Sequence, residues 1–313
     1  MPHLLVPFAA CSAAACQAAL QGLALPGLRA LVTRLAPGAT DAGTPEDLTP
    51  PHERVLARAR GLWQGDGRIA DAAWRLRHEG HDPGTAAWAW LTPCHWAVGR
   101  DRIRMAPPHT LQLQEAASRE LLEAIRPYAA EDGIDLHYRG PTRWLASGEM
   151  FRGLACASLD RAAGGTVDDW LPRSPEARTL RRLQQEVQML LYTHPVNDAR
   201  EAQGLVPVNS FWVSGAGALP AGALMAEGPQ VHDALREPAL AGDWAAWRER
   251  WQALDADVLA PVARALDRND PISLTLCGVA LARTWGPARA GWAGRLSRLF
   301  GRAPSAAQLL DSP

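Results

Sequence analysis

Arg200 and Asn197 stand three residues apart, so on a helix they lie about one turn apart and face one side. An arginine fork suits phosphate or carboxylate, and an asparagine amide can serve the same ligand. His194 precedes the pair. Asn209 and Ser210 interrupt an apolar run, and Gly215-Ala216-Gly217 follows it. A Gly-x-Gly turn lets backbone N–H groups approach an anion. Residues 184–217 are therefore predicted to hold a ligand. A helix runs into His194-Pro195, a short helical turn carries Asn197 and Arg200, and Gly204 stops it. An interior strand over 206–213 then ends at the glycines. The competing reading is that Asn197 caps the short helix, Arg200 pairs with a surface acid and the glycines only turn the chain. The residue types do not separate the two readings. Ala218-Leu219-Pro220 follows the glycines where a nucleotide site would start a helix.

Three further clusters carry polar chemistry. Tyr138-Arg139 and Arg143-Trp144 flank a turn at Gly140-Pro141, where the two arginines could complete an anion site or form ordinary hairpin charges. His78-Glu79-Gly80-His81-Asp82 concentrates possible ligands but lacks the H-E-x-x-H spacing, and Gly80 breaks the helix that would align them. It reads as a solvated helix end, and no metal site is assigned. In Thr92-Pro93-Cys94-His95-Trp96, the neighbouring cysteine and histidine point to opposite faces of a strand and make no nucleophile–base dyad. His95 could line a pocket with Trp88 and Trp90.

The elements that must position these residues alternate. Residues 4–8 form a first strand, and helices follow over 12–23 and 28–35. A Pro/Gly-rich loop covers 37–51, and helices occupy 51–63 and 68–79. Residues 86–98 read as a strand bent at Pro93. A short strand at 103–105, a helix over 111–130 and strands at 134–138, 142–146 and 154–159 come next. A helix starting at Ser174-Pro175-Glu176 leads into the central stretch. Beyond it lie a strand near 229–231, a long helix over 243–266, a buried strand over 272–282 and a basic helix over 291–300. The tail after Gly301 reads as frayed. This order predicts an α/β or α+β protein with a mixed sheet flanked by helices and a helical N-terminal portion. One domain over 1–313 is expected, with a boundary near Thr85 as the alternative.

Composition narrows the function. The chain has 313 residues, 47% of them hydrophobic, and a formal net charge of -1, which disfavours a nucleic-acid partner. It contains no lysine, which excludes a Schiff-base or P-loop lysine. The 5 cysteines are odd in number and show no C-x-x-C pair, which predicts no disulfide framework and a reducing cytoplasm. The apolar start lacks a cationic leader, and no apolar run reaches the roughly 18 residues of a membrane span.

The run NDAREAQGLVPVNSFWVSGAG, with EVQMLLYTHPV before it and TPCHWAVGRD upstream, resembles a proteobacterial family. Its members are described as regulatory proteins of the "regulation of pathogenicity factors, E-type" or as cofactor-independent phosphoglycerate-mutase-like. The run is more distantly similar to archaeal-type cofactor-independent phosphoglycerate mutases at His194, Pro195, Asn197, Arg200, Gly204, Asn209, Trp212, Gly215 and Gly217. Such mutases use two metal ions, a serine or threonine nucleophile near an N-terminal aspartate, and late Asp/His ligands. Here the first strand carries no aspartate, and His232-Asp233 is a lone late pair. The resemblance implies a phospho-acid-binding element. The expected function is a cytoplasmic regulatory or accessory protein that binds a small anionic metabolite without cofactor and has scope for a protein partner. A mutase-like or phosphatase-like enzyme is the alternative. The expected ligand set is Arg200, Asn197, Asn209, Ser210, Gly215, Gly217, His194, Arg139 and Arg143.

Overall fold

A computed structural model describes residues 2–226, 228–266, 271–287 and 309–310. The chain forms two compact units. The first takes Met1–Glu46, Pro50–Ala59 and Glu227–Pro313, and the second takes Asp47–Thr49 and Arg60–Ala226. Thr85 lies inside the second.

In chain order the first unit opens with β1 (His3–Val6), α1 (Ala14–Leu20), α2 (Pro26–Arg34), β2 (Ala36–Ala42) and α3 (Pro51–Ala59). The second unit starts with α4 (Asp71–His78), β3 (Ala87–Cys94), β4 (Trp96–Val98), β5 (Ile103–Met105) and α5 (Glu115–Glu131). It continues with β6 (Asp135–Gly140), β7 (Arg143–Ser147), α6 (Leu159–Ala162), α7 (Arg178–Tyr192), α8 (Pro195–Ala202) and β8 (Ser210–Ala218). The chain then returns to the first unit with β9 (Gln230–Val231), α9 (Arg236–Ala241), α10 (Trp244–Leu254), α11 (Ala260–Ala265), β10 (Ser273–Cys277) and β11 (Leu281–Gly286).

The first unit is built on a mixed sheet of order β2-β11-β10-β1-β9. β1 runs parallel to β10 and β9, while β10, β11 and β2 pair antiparallel. Alternation along β1 sends Leu4 and Val6 into a core with Leu28, Leu31, Trp247 and Trp251, and sends Leu5 toward Val55 and Leu56 of α3. Helices therefore flank both faces, as the α/β pattern predicts. The helix through 243–266 is present, but it passes through a π turn at Asp255–Leu259. The carboxylate of Asp255 accepts the Gly27 and Leu28 N–H groups at 2.9 and 2.6 Å, which satisfies orphan donors at the positive end of α2. A Cβ on Gly27 would lie 2.6 Å from the Ala260 nitrogen, so the close crossing requires glycine there.

The second unit holds an antiparallel sheet of order β6-β7-β3-β8. On one face Ala87, Ala89, Leu91, Trp144, Phe211 and Val213 meet the apolar stripes of α5 (Leu121, Leu122, Ile125) and α7 (Leu180, Leu183, Val187). Burying each leucine there is worth roughly 1.5–3 kcal/mol. On the other face Trp88, Trp90 and Leu145 pack with Ala72 and Leu76 of α4.

Several expectations are corrected. β8 is an edge strand, paired with β3 alone, and it runs through Gly215–Gly217 instead of ending before them. Residues 154–158 form no strand. The loop over 37–51 contains β2, whose mostly exposed Pro, Gly, Thr and Asp residues gave no apolar alternation to read. The strand over 272–282 is two antiparallel strands that fold back at 278–280. Cys11 and Cys16 are joined by a disulfide, with Cα atoms 6.3 Å apart. The helix over 291–300 lies outside the described residues, as does the tail after Gly301 except for 309–310. Among the described residues, no helix is long and apolar enough to cross a membrane.

Candidate functional site

His194, Asn197 and Arg200 sit together on α8, as their spacing predicts. His194 is the N-cap: its Nδ1 accepts the Val196 N–H at 3.3 Å, with Pro195 in the first helical position. Gly204, at φ +72, closes the helix with Gly204 N–H to Glu201 O and Leu205 N–H to Arg200 O. Those two bonds are the Schellman arrangement.

The polar side chains of this stretch bond to the main chain. Asn197 is buried; its Nδ2 donates to Leu191 O at 2.8 Å and Val208 O at 2.7 Å, and its Oδ1 accepts from Val208 N–H at 2.8 Å. The Arg200 guanidinium, 5% exposed, donates from Nε and Nη2 to Val206 O and from Nη2 to Leu111 O. Burial lowers its pKa, and arginine stays charged regardless. Asn209 imitates a strand neighbour for Trp96, accepting its N–H at 2.7 Å and donating to its carbonyl at 3.0 Å. His95 Nδ1–H donates to Pro207 O at 2.9 Å. Ser210 opens β8 opposite Cys94; its Oγ is buried without a partner among the described residues. Burial pushes the Cys94 thiol far up, so it is no nucleophile.

Gly215 and Gly217 are elsewhere. At roughly 3.3 Å per residue, β8 carries Gly217 about 23 Å from Ser210. Gly215 has φ +62, and an added Cβ would lie 3.0 Å from Trp90 Cδ1 and 3.3 Å from Asp71 Cβ. A Cβ on Gly217 would lie 3.1 Å from Ala70 Cβ. The glycines admit the start of α4 onto β8, and they do not meet Arg200 over a common ligand.

Two other sequence clusters do converge, on the face of the sheet that α4 covers. Arg143 lies 3.9 Å above the Trp90 ring and 3.5 Å from the Glu79 carboxylate. Arg139 Nη1 is 3.4 Å from His81 Nε2. Trp90 Nε1–H donates to Asp71, which also pairs with Arg75 and, at 3.6 Å, with Arg60. Arg75, Arg139 and Arg143 thus stand near the carboxylates Asp71 and Glu79. Arg139 and His81 are exposed and Arg143 is half-exposed, so these two guanidiniums face solvent. Burial lowers the Arg143 pKa; Glu79 pulls it up, Arg75 pushes it down, Asp71 pulls it up and Arg139 pushes it down, in decreasing order. Such a cluster can take an anion between planar forks held on an aromatic ring. Sequence reading missed Arg60, Arg75 and Asp71. Their signal, Asp71 four residues before Arg75 on a helix, is also that of an ordinary surface pair.

The two metal ions that the family resemblance implies have no matching donors after the first strand. The chain there reads Pro7-Phe8-Ala9-Ala10-Cys11-Ser12, without a carboxylate, and no metal-dependent step is assigned.

No family model matches the chain. Over 72 residues it is 34% identical to the 2,3-bisphosphoglycerate-independent phosphoglycerate mutase of Methanothrix thermoacetophila, a match covering 23% of this chain. The match spans 18% of that enzyme's length. The cofactor-independent phosphoglycerate mutase from Thermoplasma acidophilum aligns in structure with a TM-score of 0.37 and 16% identity, covering 93% of this chain and 90% of that one. The PH0037 protein from Pyrococcus horikoshii aligns with a TM-score of 0.45 and 11% identity, covering 92% and 87%. The chain is therefore weakly similar in sequence to cofactor-independent phosphoglycerate mutases.

Proposed function

We propose that this chain is a phosphoglycerate-mutase-like accessory or regulatory protein of the cytoplasm that binds a small phosphorylated or carboxylate metabolite without metal-dependent catalysis. The anion is held by Arg139 and Arg143 beside His81. His194, Asn197, Arg200 and Asn209 frame the unit that carries them. The observation that supports this reading is the pair of solvent-facing guanidiniums, Arg143 over Trp90 and the exposed Arg139 beside His81. A phosphate monoester, close to dianionic at neutral pH, suits two arginine forks.

Calorimetric titration with 3-phosphoglycerate tests it. Saturable binding is expected, weakened about tenfold or more in Arg139→Ala and Arg143→Ala with little change in melting temperature. Absence of binding, or affinity unchanged from the parent protein in both variants, overturns the reading. The 72-residue match to a mutase favours a second reading, a mutase-like enzyme. Interconversion of 2- and 3-phosphoglycerate by purified protein carrying stoichiometric manganese or zinc would establish that reading in place of the first.

A further inference from the structure

The first unit contains a feature that the proposed anion site does not use. α1 has seven residues, and a helix this short has little stability of its own. Its C-terminal end is tied down: Arg248 donates to the carbonyls of Ala19, Gln21 and Gly22 at 2.7, 2.9 and 3.0 Å. Its N-terminal end has no comparable polar anchor. Ala13 in the cap position offers no side-chain bond, and the first turn contains no acid. The disulfide from Cys11 to Cys16 spans this end, and Gln17 Nε2–H donates to Cys11 O at 2.6 Å. Just upstream the chain is fixed again, with Ala9 N–H on Cys277 O and the Trp247 and Trp251 indoles on Phe8 O and Ala9 O.

The two sulfurs differ in access. Cys16 is fully buried, while Cys11 is partly exposed. The remaining cysteines, Cys94, Cys156 and Cys277, are buried, and burial pushes all three thiols up, Cys156 to about 12. They remain protonated and unreactive toward exchange.

We infer that Cys11–Cys16 is a reversible dithiol–disulfide site whose reduction releases the N-terminal end of α1 and leaves the Arg248-anchored end in place. The co-reactant is a dithiol. Its thiolate attacks Cys11 Sγ, the S–S bond breaks, and Cys16 leaves with the electron pair and takes a proton. The second thiol of the reductant then displaces Cys11, which is protonated in turn. The dithiol ends as a disulfide and the protein as two thiols. The oxidised form of the same reagent class reverses the exchange.

The test uses the full chain purified without reductant, then treated or not with dithiothreitol. Alkylation read by mass should label Cys11 and Cys16 only after reduction, with Cys94, Cys156 and Cys277 protected in the native state. Residue-resolved hydrogen exchange should speed up about tenfold or more at the Gln17 and Ala18 amides and stay unchanged at Gln21 and Leu23. Cys11→Ser should show the reduced pattern without added reductant. Labelling of both cysteines before reduction overturns the inference. So does unchanged exchange at Gln17 and Ala18 on reduction or in Cys11→Ser, or loss of protection throughout the unit.

Discussion

Arg200 and Arg143 belong to the same compact unit and are used in opposite ways. Arg200 is 5% exposed and bonds to the carbonyls of Val206 and Leu111, closing the turn after α8 onto the segment before α5. Arg143 lies on Trp90, keeps a loose pair with Glu79 and has a side chain 43% exposed. A guanidinium surrounded by carbonyls organises main chain; one resting on a ring keeps N–H edges for an outside acceptor. The spacing that made Arg200 attractive as a ligand, one turn from Asn197, is the spacing that lets both residues hold one loop.

The largest expected effect tests the Arg200 side of this contrast. Arg200→Met leaves the buried Leu111 carbonyl and the part-buried Val206 carbonyl without their donor and should cost about 2–5 kcal/mol in denaturant unfolding. A loss below about 0.5 kcal/mol would show that the carbonyls find other donors. Gly215→Ala comes next. It places a Cβ 3.0 Å from Trp90 at φ +62 and should cost about 1–3 kcal/mol. Because it pushes on the ring that supports Arg143, it should also weaken 3-phosphoglycerate binding, which Arg200→Met followed under stabilising conditions should not.

Arg143→Ala should change stability by less than about 1 kcal/mol, as a half-exposed pair and ring contact contribute little, while anion affinity falls about tenfold. A stability loss as large as that of Arg200→Met would erase the distinction between the two arginines. The smallest effect concerns His137, beside Trp88. Burial lowers its pKa, ahead of the upward pull of Asp135 and the downward push of Arg139 and Arg126. The unfolded chain takes up this proton at about pH 6.5, before the folded chain does. Stability from this group is therefore full above about 6.5 and declines as pH falls through the lower folded value. His137→Gln should slightly flatten the fall in melting temperature between about pH 7 and 5; an unchanged slope would place the titration elsewhere.

Much of the fold was legible in the sequence, because it rests on local signals. The stripe on α7 and Pro195 and Gly204 around α8 were readable from spacing, while the break expected at Pro93 falls two residues later, between β3 and β4. β2 and the fold-back at 278–280 were not, since an exposed edge strand needs no apolar alternation and a tight hairpin looks like one continuous run. The candidate site was legible in its parts alone. His81, Arg139 and Arg143 were each visible, but their meeting depends on α4 crossing the sheet, and that depends on two glycines near the end of β8. Gly-x-Gly has the same sequence appearance whether it admits an anion or a helix. Cys11 and Cys16 were hidden because an odd cysteine count argues against pairing without forbidding it.

The pairing of Leu4 with Leu274, inside a sheet, sets a timetable for biosynthesis. The second unit emerges from the ribosome whole and can fold at once. β1 leaves early, yet its partners β9 and β10 are made only after the second unit. At about 5–20 residues per second, Leu4, Leu5 and Val6 wait roughly 10–50 seconds for β10. During that interval these three apolar residues lack the two strands that flank them in the finished sheet.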